Sequence, residues 1–371
     1  MNDTLNKFFE LLRSGLWGTE PTISLFENKT DWNKIYEISR QQALLAIVLD
    51  AINKLPENLK PSRGLYIKWC ADVLQIEDEN HRLDREVVSL FTMLEDNGVN
   101  PILMKGQGIS RNYIIPDHRS CGDIDIYIGK KDYDKVNDLL SIEGKALEKW
   151  SPKHIMYEWH DVIVENHRIM AKLNSPISNR KLQEIINNWH FNNNTDTIEI
   201  ENKEIKMPPL EFNVVYLLLH SVVHLMTLGI GLRQTCDWAM LLHKKRNLIN
   251  KEEVKSILKE LGLTQPAKVF GALAVNYLGM PQEDLIIPFS NKDKEHAKFL
   301  LDDILYNGNF GFSGERIKQR PKGFLKRKIY NLYNTTRRAN KLKNIAPREA
   351  LWAPYKRFEN FLKHKKDTIL H

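Results

Sequence analysis

The chain has 371 residues, 42% hydrophobic and 27% charged, a balance that supports a buried core and excludes a disordered or fibrous chain. That length allows two or three structural units. Net charge is +7, but residues 315–371 hold 17 Lys or Arg against 4 Asp or Glu, so a net acidic body carries a basic tail.

Residues 1–97 read as helical. Leu5, Phe8, Phe9, Leu11 and Leu12 recur at three-to-four spacing, as do Ala43, Leu44, Ile47, Val48, Ala51 and Ile52. A longer helix is expected over residues 65–96, with Trp69, Val73, Ile76, Leu83, Val87, Leu90, Phe91 and Leu94 on its apolar side. Asn97-Gly98 supplies a left-handed stop and Pro101 forbids a restart. The period then changes. Ile102-Leu103-Met104 reads as a short buried strand ended by Lys105-Gly106, followed by a helix over 109–114 and a polar loop over 116–120. Residues 122–128 alternate strictly, with Asp123, Asp125 and Tyr127 on one side and Ile124, Ile126 and Ile128 on the other. A helix over 131–140 and a hairpin over 156–169 follow, the latter centred on Val162-Ile163-Val164. From Pro208 the helical period returns over 210–226 and 232–242, and 252–278 reads as two more helices. The tail from Arg316 is basic and carries Phe324, Tyr330, Tyr333, Trp352, Tyr355 and Phe358. The division expected is a helical region over 1–97, an α/β core over 98–206, a second helical region over 207–314 and the tail over 315–371.

Cys70, Cys121 and Cys236 are scattered and lack CxxC spacing, which argues against a disulfide framework or a thiolate zinc site. No basic segment leads into an apolar stretch at the start. No window approaches 18 uninterrupted apolar residues. These features set the expectation of a soluble, cytoplasmic protein without a membrane partner.

Two carboxylates at i and i+2 on a strand share a face and repel unless a cation lies between them. Mg²⁺ suits one or two carboxylates completed by substrate phosphates, an arrangement used in phosphoryl-type chemistry. An isolated Asp-x-Asp reads most simply as two charges on a solvent-facing strand edge. Here the strand, Lys-Gly turn, helix, loop and second strand alter that reading, because glycine at the turn lets backbone N–H groups approach a phosphate.

The run Leu103-Met104-Lys105-Gly106, then Tyr113, Pro116, Arg119 and Gly122-Asp123-Ile124-Asp125, resembles the uncharacterised nucleotidyltransferase family of the DNA polymerase beta superfamily. Val164-Glu165-Asn166-His167-Arg168 and the 217–242 segment with His220, His224, Arg233 and Asp237 extend the likeness, which covers about residues 30–245. The resemblance implies an α+β fold, with a small mixed-sheet nucleotidyltransferase core embedded between helical regions. It implies transfer of a nucleoside monophosphate from an NTP to an acceptor hydroxyl, with two Mg²⁺ (or Mn²⁺) ions and release of pyrophosphate. Asp123 and Asp125 would bind both metals. Glu165 would complete the second metal site and help deprotonate the acceptor. Lys105, Gly106, Gln107 and Arg119 would hold the nucleotide phosphates. The glycine-serine pair usual in the superfamily is absent, since Gln107 follows Gly106; the serine's phosphate contact would pass to Lys105, Gln107 or backbone N–H groups.

Other candidates compete with simpler readings. Lys105 is either a phosphate donor or a snorkelling surface lysine. Arg119 would contact the leaving pyrophosphate or pair with a carboxylate. His167 shares the face of Glu165 and would orient it or touch substrate; His160 reads as a generic strand histidine. His220 and His224, at i and i+4, read as packed, hydrogen-bonded histidines that could contribute to the nucleotide pocket. The acceptor is open between a small molecule, a protein side chain and an RNA 3′ end; the basic tail reads most simply as solvated surface charge with helix-packing aromatics, and as a partner site it tilts toward RNA or an acidic partner. The alternative function is a catalytically decayed module that binds nucleotide or nucleic acid.

Overall fold

The computed structural model describes residues 2–147, 154–227, 229–307 and 323–367. Residues 315–322 of the basic tail and the side chain of its Phe324 lie outside that description. The chain forms two compact units: one takes the chain up to Ala171 together with Asn187–Asn213, the other takes Lys172–Ile186 and the chain from Val214 onward.

The first unit begins with four helices, α1 (Asp3–Trp17), α2 (Trp32–Gln41), α3 (Leu45–Asn53) and α4 (Arg63–Asp96). Phe8, Phe9, Leu11 and Leu12 of α1 are fully buried, as their spacing requires. Gly15 permits a close crossing, since a Cβ there would lie 1.9 Å from the carbonyl oxygen of Ile47 on α3. Helix α4 has 34 residues and so runs for about 50 Å. Its apolar stripe is buried from Trp69 to Leu94, and Gly98 adopts φ 71° just beyond its end, where the stop was expected.

Helix α4 also carries a polar stripe. Glu77, Asn80, His81 and Asp84 follow i, i+3, i+4, i+7 spacing and therefore share a face. All four hold the segment between residues 111 and 119. Asp84 pairs with Arg111. Asn80 Nδ2 donates to the carbonyls of Asp117 and Arg119 at 2.6 and 3.0 Å. His81 meets Asp117 at 3.0 Å and Glu77 meets His118 at 2.8 Å.

Strand β1 (Ile102–Met104) runs into α5 (Gly106–Ser110). The helix expected over 109–114 is therefore displaced toward the strand and ends early. Ser110 Oγ and Asn112 Nδ2 donate back to the carbonyls of Gln107 and Ile109, local bonds that compete with continuing the helix. Then come β2 (Ile124–Tyr127), α6 (Tyr133–Glu143), β3 (Gly144–Ala146), β4 (His154–Trp159) and β5 (Val162–His167). They form one five-stranded sheet in the order β1-β2-β5-β4-β3. β2 and β5 are parallel, and the other pairs are antiparallel. The β4–β5 hairpin turns on His160 and Asp161, both at positive φ (46° and 63°), the signature of a two-residue type I′ turn that locks the register. His160 is thus a turn residue, paired with Glu86 at 2.9 Å, and not a strand residue. Asn166 occupies an otherwise apolar face of β5. It is buried and donates to Asn137 Oδ1 of α6 at 2.9 Å.

Besides β3, the elements not anticipated in this part of the chain are α7 (Pro176–Phe191) and the ribbon β6 (Asp196–Ile200) and β7 (Lys203–Met207). The ribbon turns on Glu201-Asn202, again at positive φ. The divide between the units falls within α7 and within α8 (Leu210–Thr227).

The second unit is helical, with most of α8, α9 (Leu232–Lys244), α10 (Lys251–Leu261), α11 (Thr264–Leu278), α12 (Asn291–Asn307, also unanticipated), α13 (Phe324–Leu342) and α14 (Pro347–Asp367). Helix α8 is long and apolar enough to cross a membrane by composition, but 67% of it is buried inside the protein, as in a core helix. The described part of the basic tail is built into this unit. Arg338 is buried, bidentate to Asp303 at 2.6 Å for each bond, with Nε on the Leu225 carbonyl. Glu349 accepts from the backbone N–H groups of Asn174 and Ser175. Lys326, Arg327 and Tyr333 of α13 remain exposed.

His118 ties α3 to α4, with Nδ1 2.9 Å from Asp50 and Nε2 2.8 Å from Glu77. Burial opposes its charged form, but the two carboxylates raise its pKa above the usual imidazole value. Stabilisation of this kind is complete below the unfolded-state value of about 6.5 and fades as pH rises through the higher folded-state value. His118→Gln should therefore destabilise the fold more at pH 6 than at pH 9, by about 1 kcal/mol at the lower pH, seen as a larger fall in Tm there. Thermal melts of both proteins at the two pH values measure this, and a deficit that grows with pH would contradict it.

Candidate active site

The sheet register assembles the site. Asp125 lies opposite Glu165 on the parallel neighbour, and Tyr127 lies opposite His167. Side chains in register on paired strands share a face, and so do residues two apart on one strand. Asp123, Asp125, Glu165 and His167 are thereby aimed to one side of the sheet. On the antiparallel side of β5, His154 lies opposite His167 and Met156 opposite Glu165, which adds His154 to that face. Ile124, Ile126 and Val164 on the other face are fully buried and anchor both strands.

Carboxylate oxygens of Asp123, Asp125 and Glu165 lie within 4.8 Å of one another. Asp125 is only 2% exposed and is held by two groups. Lys105 Nζ approaches Oδ2 at 2.8 Å, and His167 Nε2 approaches Oδ1 at 2.8 Å. The same His167 nitrogen lies 3.0 Å from Glu165 Oε2. Burial penalises the charged form of Asp125, but the Lys105 ammonium and the His167 imidazole overcome it and hold the carboxyl well below the usual carboxylate range. Glu165 follows the same pattern: burial opposes its charge, and the His167 hydrogen bond brings its pKa below the ordinary value. Both carboxyls are anionic at neutral pH.

Lys105 reaches Asp125 at a conformational cost. It follows Met104, which is registered opposite Asp125, and adopts φ 54°, ψ −138°, a region that only glycine visits freely. Gly106 follows at φ 41°, and a Cβ there would lie 3.4 Å from the Asp123 carbonyl. The turn therefore presses against the chain entering β2.

The other expected site residues fall as follows. Gln107 is 1% exposed and neither of its amide atoms has a hydrogen-bond partner, so its side chain is turned away from solvent. Arg119 is buried and donates from Nη1 to the Ser120 carbonyl and to Cys121 Sγ at 3.3 and 3.1 Å. His220 and His224 lie on α8 in the second unit, with ring centroids 4.3 Å apart. Among the described residues, two groups could hold a metal ion: Asp123 with Asp125 and Glu165, and His154 with Glu165 and His167. His154 was not singled out from the sequence. The hairpin register, read outward from the His160-Asp161 turn, is the signal that finds it.

The three-carboxylate group fits a divalent cation. Its donors are hard oxygens of the kind Mg²⁺ and Mn²⁺ accept, and an ammonium already pairs with Asp125 as a monovalent stand-in. Separately, Tyr36, Arg40, Asp72, Glu79, Ser120 and Cys121 line a cavity of about 410 Å³ that includes none of these carboxylates. Ser120 and Cys121 lead directly into Gly122-Asp123.

A family model described as "Uncharacterised nucleotidyltransferase" matches residues 28–279, more than half of the chain. Among solved structures, the chain is similar to an antigenic nucleotidyltransferase-like protein from Paracoccidioides brasiliensis, at 12% identity and a TM-score of 0.32, covering 55% of this chain and 92% of that one. No curated protein matches.

The strain at Lys105 is testable without any ligand. Lys105→Gly and Lys105→Ala both remove the ammonium, but only glycine relaxes the backbone. The glycine variant should be the more stable of the two by about 1 kcal/mol in urea denaturation; equal stability would mean that the turn is unstrained.

Proposed function

The chain belongs to the uncharacterised nucleotidyltransferase family, and from that premise we propose that its first unit transfers a nucleoside monophosphate from an NTP to an acceptor hydroxyl, with two Mg²⁺ ions and release of pyrophosphate. The observation that carries this reading is the β2–β5 register, which sets Asp125 beside Glu165 with Asp123 two residues away on the same face.

Asp123, Asp125 and Glu165 would hold the metals; Mn²⁺ can replace Mg²⁺ on such oxygens. Bound there, divalent cations would supply charge neutralisation for the triphosphate and polarisation of the attacking hydroxyl. Lys105 gives up its pair with Asp125 and turns its ammonium toward the phosphates. Gly106 opens the turn so that backbone N–H groups can approach the triphosphate. Gln107 supports the turn from within, because its side chain is closed to solvent. The contact that serine makes in the wider superfamily therefore falls to backbone and to Lys105. Arg119, buried beneath the loop, shapes the approach to Asp123. His167 keeps Asp125 and Glu165 in their rotamers through its shared hydrogen bonds. Glu165 would complete the second metal site and help deprotonate the acceptor hydroxyl, whose pKa a bound divalent cation would lower. The cavity beside Gly122 has the size of a small-molecule site and a mixed polar lining, which favours a small hydroxylated acceptor over a protein or an RNA end.

Purified protein incubated with labelled NTPs, Mg²⁺ and a panel of small hydroxylated acceptors should transfer label to an acceptor. Asp123→Asn combined with Asp125→Asn should reduce transfer by about a thousandfold or more, with circular dichroism confirming the fold. If the double variant transfers label as well as the wild type, the reading fails. If the wild type binds NTP and Mg²⁺ without transfer to any acceptor, the decayed binding module replaces it.

A further inference from the structure

We infer that His154, Glu165 and His167 form a second kind of metal position, a nitrogen-donor site for a Zn²⁺-class divalent cation, adjoining the carboxylate group and sharing Glu165 with it. The inference rests on the nucleotidyltransferase reading for the use made of the metal, but the donor set is defined by geometry alone.

The hairpin places His154 across from His167, with imidazole centroids 4.9 Å apart. His154 Nδ1 lies 3.8 Å from Glu165 Oε2, and His167 Nε2 lies 3.0 Å from the same oxygen. One donor atom from each of the three residues falls within 4.8 Å of the others. Two imidazoles and a carboxylate make the donor set of many catalytic zinc centres. It differs in kind from the neighbouring group, which offers only oxygen.

Within this set, His167 Nε2 is the nitrogen placed to receive a cation. Its side chain is 1% exposed, and Nδ1 has no hydrogen-bond partner. Nε2 faces two carboxylate oxygens, at 2.8 and 3.0 Å. One N–H cannot make two full-strength bonds in different directions, so the pairing at Nε2 is the part that a cation improves. Hydrogen bonding within the fold thus leaves this imidazole incompletely satisfied. A cation that takes the Nε2 lone pair on the side of Glu165 Oε2 also lies toward His154 Nδ1, which is 3.8 Å from that oxygen.

The chemistry separates the two positions. Mg²⁺ requires oxygen and gives up water reluctantly, so it belongs with Asp123 and Asp125. Imidazole favours later first-row metals in the Irving–Williams order. A cation held by His154 and His167 also adds positive charge beside Glu165, so its presence tunes how strongly Glu165 serves the carboxylate group.

Co²⁺ is the probe, read by visible absorption on the whole protein without nucleotide. The wild type should bind one Co²⁺ with d–d bands typical of nitrogen ligation. Zn²⁺ should displace it, and millimolar Mg²⁺ should not. His154→Gln should weaken Co²⁺ binding at least tenfold, whereas Asp123→Asn should keep the bands. Nitrogen hyperfine coupling in the EPR of Cu²⁺ added to wild type gives a second reading that requires no variant. Absence of the bands and of nitrogen coupling, displacement by Mg²⁺, or Co²⁺ binding indifferent to His154→Gln overturns the inference. Mg²⁺-dependent label transfer without Co²⁺ binding sinks this site alone; Co²⁺ binding without label transfer sinks the nucleotidyltransferase reading alone.

Discussion

Two anionic side chains held in register on neighbouring parallel strands repel each other, and the rest of the first unit is arranged around that fact. Asp125 and Glu165 are paired across β2 and β5. Like charges about 5 Å apart at an effective dielectric of 20 repel by roughly 3 kcal/mol, and burial adds to the cost. Lys105 and His167 offset this by charge and by hydrogen bonding. They do so incompletely, because one imidazole nitrogen serves both carboxylates. The site is electrostatically poised to take up further positive charge.

The scaffold explains why the carboxylates cannot relax apart. Ile124, Ile126 and Val164 anchor the strands from behind. Asn166, a polar residue on that apolar side, is fastened to Asn137 of α6. The segment delivering Asp123 is held along its length by the polar stripe of α4, through Arg111, Asp117, His118 and Arg119. On the opposite flank of β5, a two-residue turn fixes the hairpin register, and a slip of one residue would turn His154 away from Glu165. Backbone strain at Lys105 sits where this assembly converges, a common place for strain to be held.

Much of this was legible in the sequence, and the remainder was hidden for physical reasons. The alternation of Ile124, Asp125, Ile126 and Tyr127 identified a strand with a polar face. Glu165 and His167 followed from the resemblance, and the structure places both beside Asp125. The apolar stripe of α4 and its glycine stop were equally clear. Its polar stripe was not, because Glu77, Asn80, His81 and Asp84 resemble an ordinary solvated face until the loop they grip is in place. His154 was invisible because its role depends on strand register rather than on local pattern. The ribbon of β6 and β7 was masked by its charged residues, which conceal the alternation of Ile198, Ile200, Ile205 and Met207. The helix expected over 109–114 failed because side chains of Ser110 and Asn112 close the preceding turn. In the tail, Arg338 counted as surface charge by composition, yet it is buried against Asp303.

The most direct test of the central claim is a crystal soaked with Mn²⁺ and a non-hydrolysable NTP, read by anomalous scattering. The account predicts manganese density bounded by the Asp123, Asp125 and Glu165 carboxylates, with the triphosphate alongside and the Lys105 ammonium swung away from Asp125. A bound nucleotide with manganese placed elsewhere, or with Lys105 still clasping Asp125 and no metal beside it, would contradict the account.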